Sequence, residues 1–117
     1  MNMYNDVVTF TDSCDQNPSE QNSELYVKLI NEEYQEFIEA YANDDEVEML
    51  DACMDMIWVI LAFCRMKEYN VQGAWNEVSK TNLSKIDSAT GKVKRRSDGK
   101  ILKPDGWVEP DFSKFIK

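Results

Sequence analysis

Apolar residues recur at helical spacing through most of this chain, and the polar breaks between them stay short until about Ser88. Met1 to Phe10 carries a weak helical pattern, and the Asp-, Asn-, Ser- and Pro18-rich stretch from Asp12 to Ser23 reads as a loop. Ser23, followed by Glu24, offers an N-cap with an acid in the first turn, predicting a helix to about Tyr41. Asn43, Asp44 and Asp45 form a short turn and a cap for a second helix, roughly Asp45 to Tyr69. A third, shorter helix is expected after Asn70, reaching about Ser84. Beyond it, Thr90-Gly91 and Asp98-Gly99 are turn signals in a segment predicted to be irregular or a small hairpin. The pattern predicts an all-α domain over residues 1–117, with a helical core at about 24–84 and a C-terminal tail at about 85–117. Two long helices joined by a short turn are an antiparallel hairpin, half of a four-helix bundle.

The polar positions that interrupt the apolar faces are the informative ones. At 100° per residue, the apolar stripe of the first long helix holds Tyr26, Leu29, Ile30, Phe37 and Ala40. Glu33 falls in its centre and Glu36 at its edge, with Glu32 just beyond. On the second long helix Glu48, Asp51 and Asp55 share one face, which continues as Val59, Ala62, Met66 and Tyr69. Carboxylates are not placed on a core face for stability, because burying one unpaired costs several kcal/mol or forces it to take up a proton. The run from Met56 to Cys64 is apolar on every side, which predicts burial on every side and hence a second subunit, as a homodimer or homotetramer.

Composition narrows the chemistry. The chain has 22 Asp and Glu against 13 Lys and Arg, and no histidine. Ser-His-Asp and Cys-His catalysis, His-ligated zinc or haem, and the Glu-x-x-His di-iron bundle are therefore excluded. No EF-hand loop is present. Three cysteines without Cys-x-x-Cys spacing argue against a disulfide framework and fit a reducing cytoplasm. The nine-residue apolar run is about half of a membrane span. Charge is also segregated: residues 1–79 hold 17 acids and 3 bases, whereas residues 80–117 hold 5 acids and 10 bases. An acidic segment of that length argues against duplex nucleic acid as a partner. Inward-facing carboxylates on two helices repel unless a cation lies among them, and hard ions such as Mg²⁺ or Mn²⁺ prefer such oxygen donors. The competing reading is a non-catalytic acidic helical module, a DNA mimic or an inhibitor of a basic protein.

The residues resemble a known family. Glu32-Glu33-Tyr34-Gln35-Glu36 matches the Glu-Glu-x-x-Glu signature of the all-α nucleoside triphosphate pyrophosphatases, the MazG-like superfamily, and Glu48-Met49-Leu50-Asp51 matches its Glu-x-x-Asp block. Asn82-Leu83-Ser84-Lys85, Asp98-Gly99-Lys100, Lys103-Pro104 and Pro110-Asp111 are similar to a phage and bacterial subgroup described as phosphoribosyl-ATP pyrophosphohydrolase-like. The similarity runs from about Leu25 to Phe112, and the first 24 residues match nothing assigned. The apolar residues after Asp55 fit the family context of the second aspartate better than those after Asp51; because Glu48, Asp51 and Asp55 share a face, all three stay as candidates, with Asp51 and Glu48 ranked first.

The resemblance implies hydrolysis of a nucleoside triphosphate, a deoxynucleotide in the first place, to the monophosphate and pyrophosphate, with two or three Mg²⁺ or Mn²⁺ ions per site. Glu33, Glu36, Glu48, Asp51 and Asp55 would be the metal ligands, and Glu32 would orient or deprotonate the attacking water. Lys85, Lys92, Arg95, Arg96, Lys100 and Lys103 would meet the phosphates, and Asn82 the sugar or base. Some phage members supply dGMP for modified-base synthesis, which makes dGTP the first substrate to consider.

Overall fold

The computed structural model describes residues 2–116. It is all-α: α1 (Met3–Ser13), α2 (Glu20–Ala42), α3 (Glu46–Met66) and α4 (Val71–Leu83) are followed by one 3₁₀ turn, Ser113–Phe115. No strand forms among the described residues, and none of the helices is long and apolar enough to cross a membrane. The chain divides into two compact units, Met1–Tyr69 and Asn70–Lys117, so α4 groups with the C-terminal segment.

Polar side chains start every helix. Asn2, Ser19, Asp45 and Asn70 each accept from the backbone N–H three residues on. α2 begins four residues earlier than its sequence suggests. Ser19, directly after Pro18, is the cap, and Ser23 is buried inside the helix, donating its hydroxyl to Glu20 O at 2.8 Å. Residues 12–23 are correspondingly less loop-like than expected, since α1 extends to Ser13.

α1, α2 and α3 end in a common way that contains no glycine. Asp15, Asp44 and Glu68 adopt φ of 55°, 54° and 58°, and the next amide bonds back across the last turn: Gln16 N to Thr11 O, Asp45 N to Ala40 O and Tyr69 N to Cys64 O, each at 3.0 Å. These are Schellman closures, in which glycine usually occupies the left-handed position. The last one ends α3 at Met66, short of the expected Tyr69.

In the first unit α2 and α3 pair antiparallel, and α1 lies against α3. Val7, Tyr26, Val59, Ala62 and Met66 form the core, with Leu29, Ile30, Leu61 and Phe63 packed around it. α1 is further held by an edge-to-face contact of Phe10 with Trp58, 5.5 Å between centroids, and by Arg65 to Asp12 at 3.3 Å. The apolar centre of α3 is covered on one side only. Leu50, Met54, Ile57 and Ile60 remain exposed in the single chain, as do Tyr34, Ile38 and Tyr41 on α2.

In the second unit, residues after Trp107 fold back along α4 one helical turn at a time. Trp107 Nε1 donates to Thr81 O at 2.8 Å, and Asp111 N donates to Glu77 Oε2 at 2.9 Å. The Phe115 ring sits where a side chain on residue 73 would be: a Cβ on Gly73 would meet it at 2.7 Å. Phe115 O also accepts from Asn70 N at 2.8 Å. The expected turns at Gly91 and Gly99 are present, with isolated antiparallel bridges Asp87 to Lys92 and Arg95 to Ile101. Trp75 on α4, three residues before Val78, is 65% exposed.

An acid in the left-handed position strains the backbone and puts negative charge at the negative end of the helix dipole. Asp15→Gly should therefore stabilise the protein by about 1 kcal/mol, read as a rise in melting temperature.

Candidate metal centre

α2 and α3 bring Glu33, Glu36 and Asp55 together, with one carboxylate oxygen from each lying within 4.8 Å of the others. The pairing follows from the turn: Glu33 stands eleven residues before Asp44 and Asp55 eleven after it, so an antiparallel hairpin sets them level. Glu33 and Asp55 are half-buried and Glu36 is exposed. Oε2 of Glu33 is buried with no hydrogen-bond partner among the described residues.

The electrostatics record this crowding. The Glu33 carboxyl is pushed from its ordinary 4.5 up to about 7. The largest cause is hydrogen bonding with Glu36, which needs a retained proton; burial and the charges of Glu36, Asp55 and Asp51 add to it. Asp55 is raised as well, first by burial and then by Asp51 and Glu36.

Glu48 and Asp51 lie elsewhere along the seam. They line an adjoining cleft of about 300 Å³ toward the hairpin turn, together with Glu36, Glu39, Asn43 and Asp45. Glu36 thus belongs to both groups. Glu32 is exposed and outside the trio. Glu39 and Asp45 line this cleft although the sequence places one on the solvated back of α2 and the other as a helix cap; their proximity to the turn is the signal that brings them here.

The basic candidates separate. Lys85 and Lys103 line a cleft of about 1010 Å³ within the second unit. Each places its Nζ 5.0 Å from the Trp107 ring centroid. Lys80 and Lys94 also line it, and neither stood out in the sequence. Lys92, Arg95, Arg96 and Lys100 are exposed and do not line this cleft. Arg96 is bound to Asp98 at 2.6 Å, which holds the Asp98 carboxyl below its usual range. Asn82 is exposed and accepts from Lys85 Nζ at 3.1 Å.

Residues 9–82, more than half of the chain, match the family described as phosphoribosyl-ATP pyrophosphohydrolase, within the MazG-like all-α superfamily. The chain belongs to this family. No curated protein matches the chain. The family's chemistry is pyrophosphohydrolysis of a nucleotide and is typically divalent-metal dependent. The matched range begins inside α1, so the expectation that the first 24 residues match nothing is corrected for residues 9–24. It includes all six acids and Asn82, while Lys85 and the other basic candidates fall beyond it.

The trio suits a hard divalent cation. It supplies oxygen donors alone, one of them buried without a partner, and the carboxylates repel each other in the absence of positive charge.

Stability should reflect this. Glu33 binds its proton more tightly folded than unfolded, so its stabilising contribution is full below about pH 4.5 and is lost as pH rises through about 7. In EDTA the melting temperature should fall between pH 5 and pH 8. Glu33→Gln should flatten that fall and melt above wild type at pH 8; an unchanged slope would remove Glu33 as its source.

Proposed function

We propose that this protein hydrolyses a deoxynucleoside triphosphate to the monophosphate and pyrophosphate, with dGTP the first candidate. The observation that carries the reading is the level placement of Glu33, Glu36 and Asp55 on facing helices, in a chain of a pyrophosphohydrolase family. These three would hold a divalent cation, and Glu48 and Asp51, sharing Glu36 with them, would complete a second position along the seam. Mg²⁺ or Mn²⁺ bound there would polarise the phosphoryl oxygens and neutralise their charge.

Water attacks the α-phosphorus, a new P–O bond forms, and the Pα–O–Pβ bridge breaks on the α side. Pyrophosphate leaves with the bridging oxygen and the bond's electron pair. Glu32, exposed beside the ligands, orients the water and takes its proton. As candidate phosphate contacts the second unit offers Lys85, Lys92, Arg95, Arg96, Lys100 and Lys103, with Asn82 as the candidate for sugar or base. Phosphoribosyl-ATP presents the same α–β anhydride and belongs in the substrate panel.

We further propose that the exposed row of Leu50, Met54 and Ile57 on α3, beside Tyr34, Ile38 and Tyr41 on α2, packs against a second copy to complete a four-helix bundle. The two rows follow helical spacing on neighbouring helices, which supports one continuous apolar face.

With Mg²⁺ and each dNTP in turn, the product should be pyrophosphate rather than phosphate, and Glu36→Gln should reduce its release to background. Activity persisting in that variant would sink the ligand assignment. Light scattering should report a multiple of the 13.6 kDa chain mass, and Ile38→Glu with Met54→Glu should lower it to the monomer; a monomeric wild type would reject the shared bundle.

A further inference from the structure

The Trp107 cleft has features that the metal centre does not explain. All of its lining residues lie between Glu77 and Glu109, inside the second unit, and most lie beyond the family match. Its lining includes an aromatic ring fixed in two ways. Pro104, Asp105, Gly106 and Trp107 form a β-turn closed by Trp107 N to Pro104 O at 3.1 Å, with Gly106 at φ 78° in the position that demands it. The indole N–H is then tied to Thr81 O on α4.

Around this ring two ammonium groups are gathered. Lys85 and Lys103 each lie 5.0 Å from one centroid, so their charges are within 10 Å of each other. At physiological ionic strength that is about one screening length, and like charges held so close repel. The face of an indole compensates in part without cancelling either charge. Lys80 and Lys94 on the same cleft form no ion pair among the described residues.

Acids are present as well, and their engagement is informative. Glu77 is occupied by the Asp111 amide and Asp87 by the Ala89 amide. Glu109 reaches Lys103 only at 3.7 Å, in a pair with both side chains more than half exposed. Such a pair is weak and yields readily to a multiply charged anion. Asp105 completes the acidic side chains of the lining.

We propose that this cleft binds a phosphate-anhydride chain without a metal ion, with Lys85 and Lys103 as its principal contacts and Trp107 as the positioning residue that holds them. The choice of phosphate rests on the nucleotide pyrophosphohydrolase reading. The site itself does not need the carboxylate trio. A chain of two or three phosphates carries several negative oxygens along its length and can therefore meet both ammonium groups at once.

The test is calorimetric titration of the intact chain with inorganic tripolyphosphate, in EDTA and at low salt. Lys85→Gln with Lys103→Gln, which remove charge but little packing, should weaken binding about tenfold or more. Trp107→Leu removes no charge and should weaken it several-fold, while Trp107→Phe, which keeps a π face, should recover part of the loss. Lys28→Gln, the loss of one positive charge on α2 outside the cleft, should have no effect. The proposal is overturned if tripolyphosphate does not bind, if Lys28→Gln weakens binding as much as the cleft double variant, or if Trp107→Leu leaves binding unchanged. Binding of deoxyguanosine without binding of tripolyphosphate would overturn it in favour of a base pocket. Glu36→Gln separates the two readings: it should abolish hydrolysis yet leave metal-free tripolyphosphate binding intact. A tenfold loss there would place the anion elsewhere and reject this cleft.

Discussion

Repulsion among carboxylates on a helix seam is the constraint around which the first unit is organised. Helices pair by burying apolar surface between them, yet at the middle of this hairpin the sequence puts Glu33 level with Asp55 and adds Glu36 one turn away. The apolar contacts that hold the pair lie to one side, where Tyr26 on α2 and Val59, Ala62 and Met66 on α3 form the core with Val7 of α1. Toward the turn, the small buried residues Ala40 and Ala52 keep the helices together. The site is therefore framed by packing that does not depend on it. This is how a fold can hold mutually repelling groups: the surrounding contacts fix the geometry, and the repulsion remains as a preference for positive charge.

The second unit gathers charge of the opposite sign by a different device. Lysine ammoniums cannot be forced together on a helix seam without losing their water, but an indole can attract their charged ends while their flexible stems stay solvated. Trp107 supplies that surface, and its own position comes from a turn and one hydrogen bond to α4. The acid-rich residues 1–79 and the base-rich residues 80–117 thus carry two arrangements built on different physics, one from rigid helix register and one from an aromatic anchor.

Much of this was legible from residue order. The wheel that placed Glu33 in the apolar stripe also predicted burial of Tyr26 and Ala40, and the turn at Asn43 to Asp45 set the hairpin. Asp45 and Asn70 were readable as caps because short polar side chains precede apolar periodicity there. Counting outward from Asp44 would have favoured Asp55 over Asp51 as the partner of Glu33, a distinction that face angles alone do not make, since both acids share the face. Other features had no such signal. The left-handed closures at Asp15, Asp44 and Glu68 lack the glycine that normally announces them. Ser19 and Ser23 are both acceptable caps by residue type, and only Pro18, which bars the preceding residue from helix, favours the earlier one. α1 becomes a helix worth forming through Val7, Phe10 and Asp12, which meet α3 residues some fifty positions away. The attachment of α4 to the C-terminal segment rests on contacts of Trp107, Asp111 and Phe115 that no local pattern encodes.

That attachment carries a consequence for how the segment can vary. Its contacts fall at residues 107, 111 and 115 and meet α4 at 81, 77 and 73, so each step of four on one side matches a step of four on the other. Four helical residues advance about 6 Å, whereas four extended residues span about 13 Å. The returning chain must therefore depart from full extension between contacts, and the Ser113–Phe115 turn does so in the last step. Side chains between the anchors can change freely, but inserting or deleting one residue would move every later anchor off its turn. The length of this stretch is under tighter constraint than its composition.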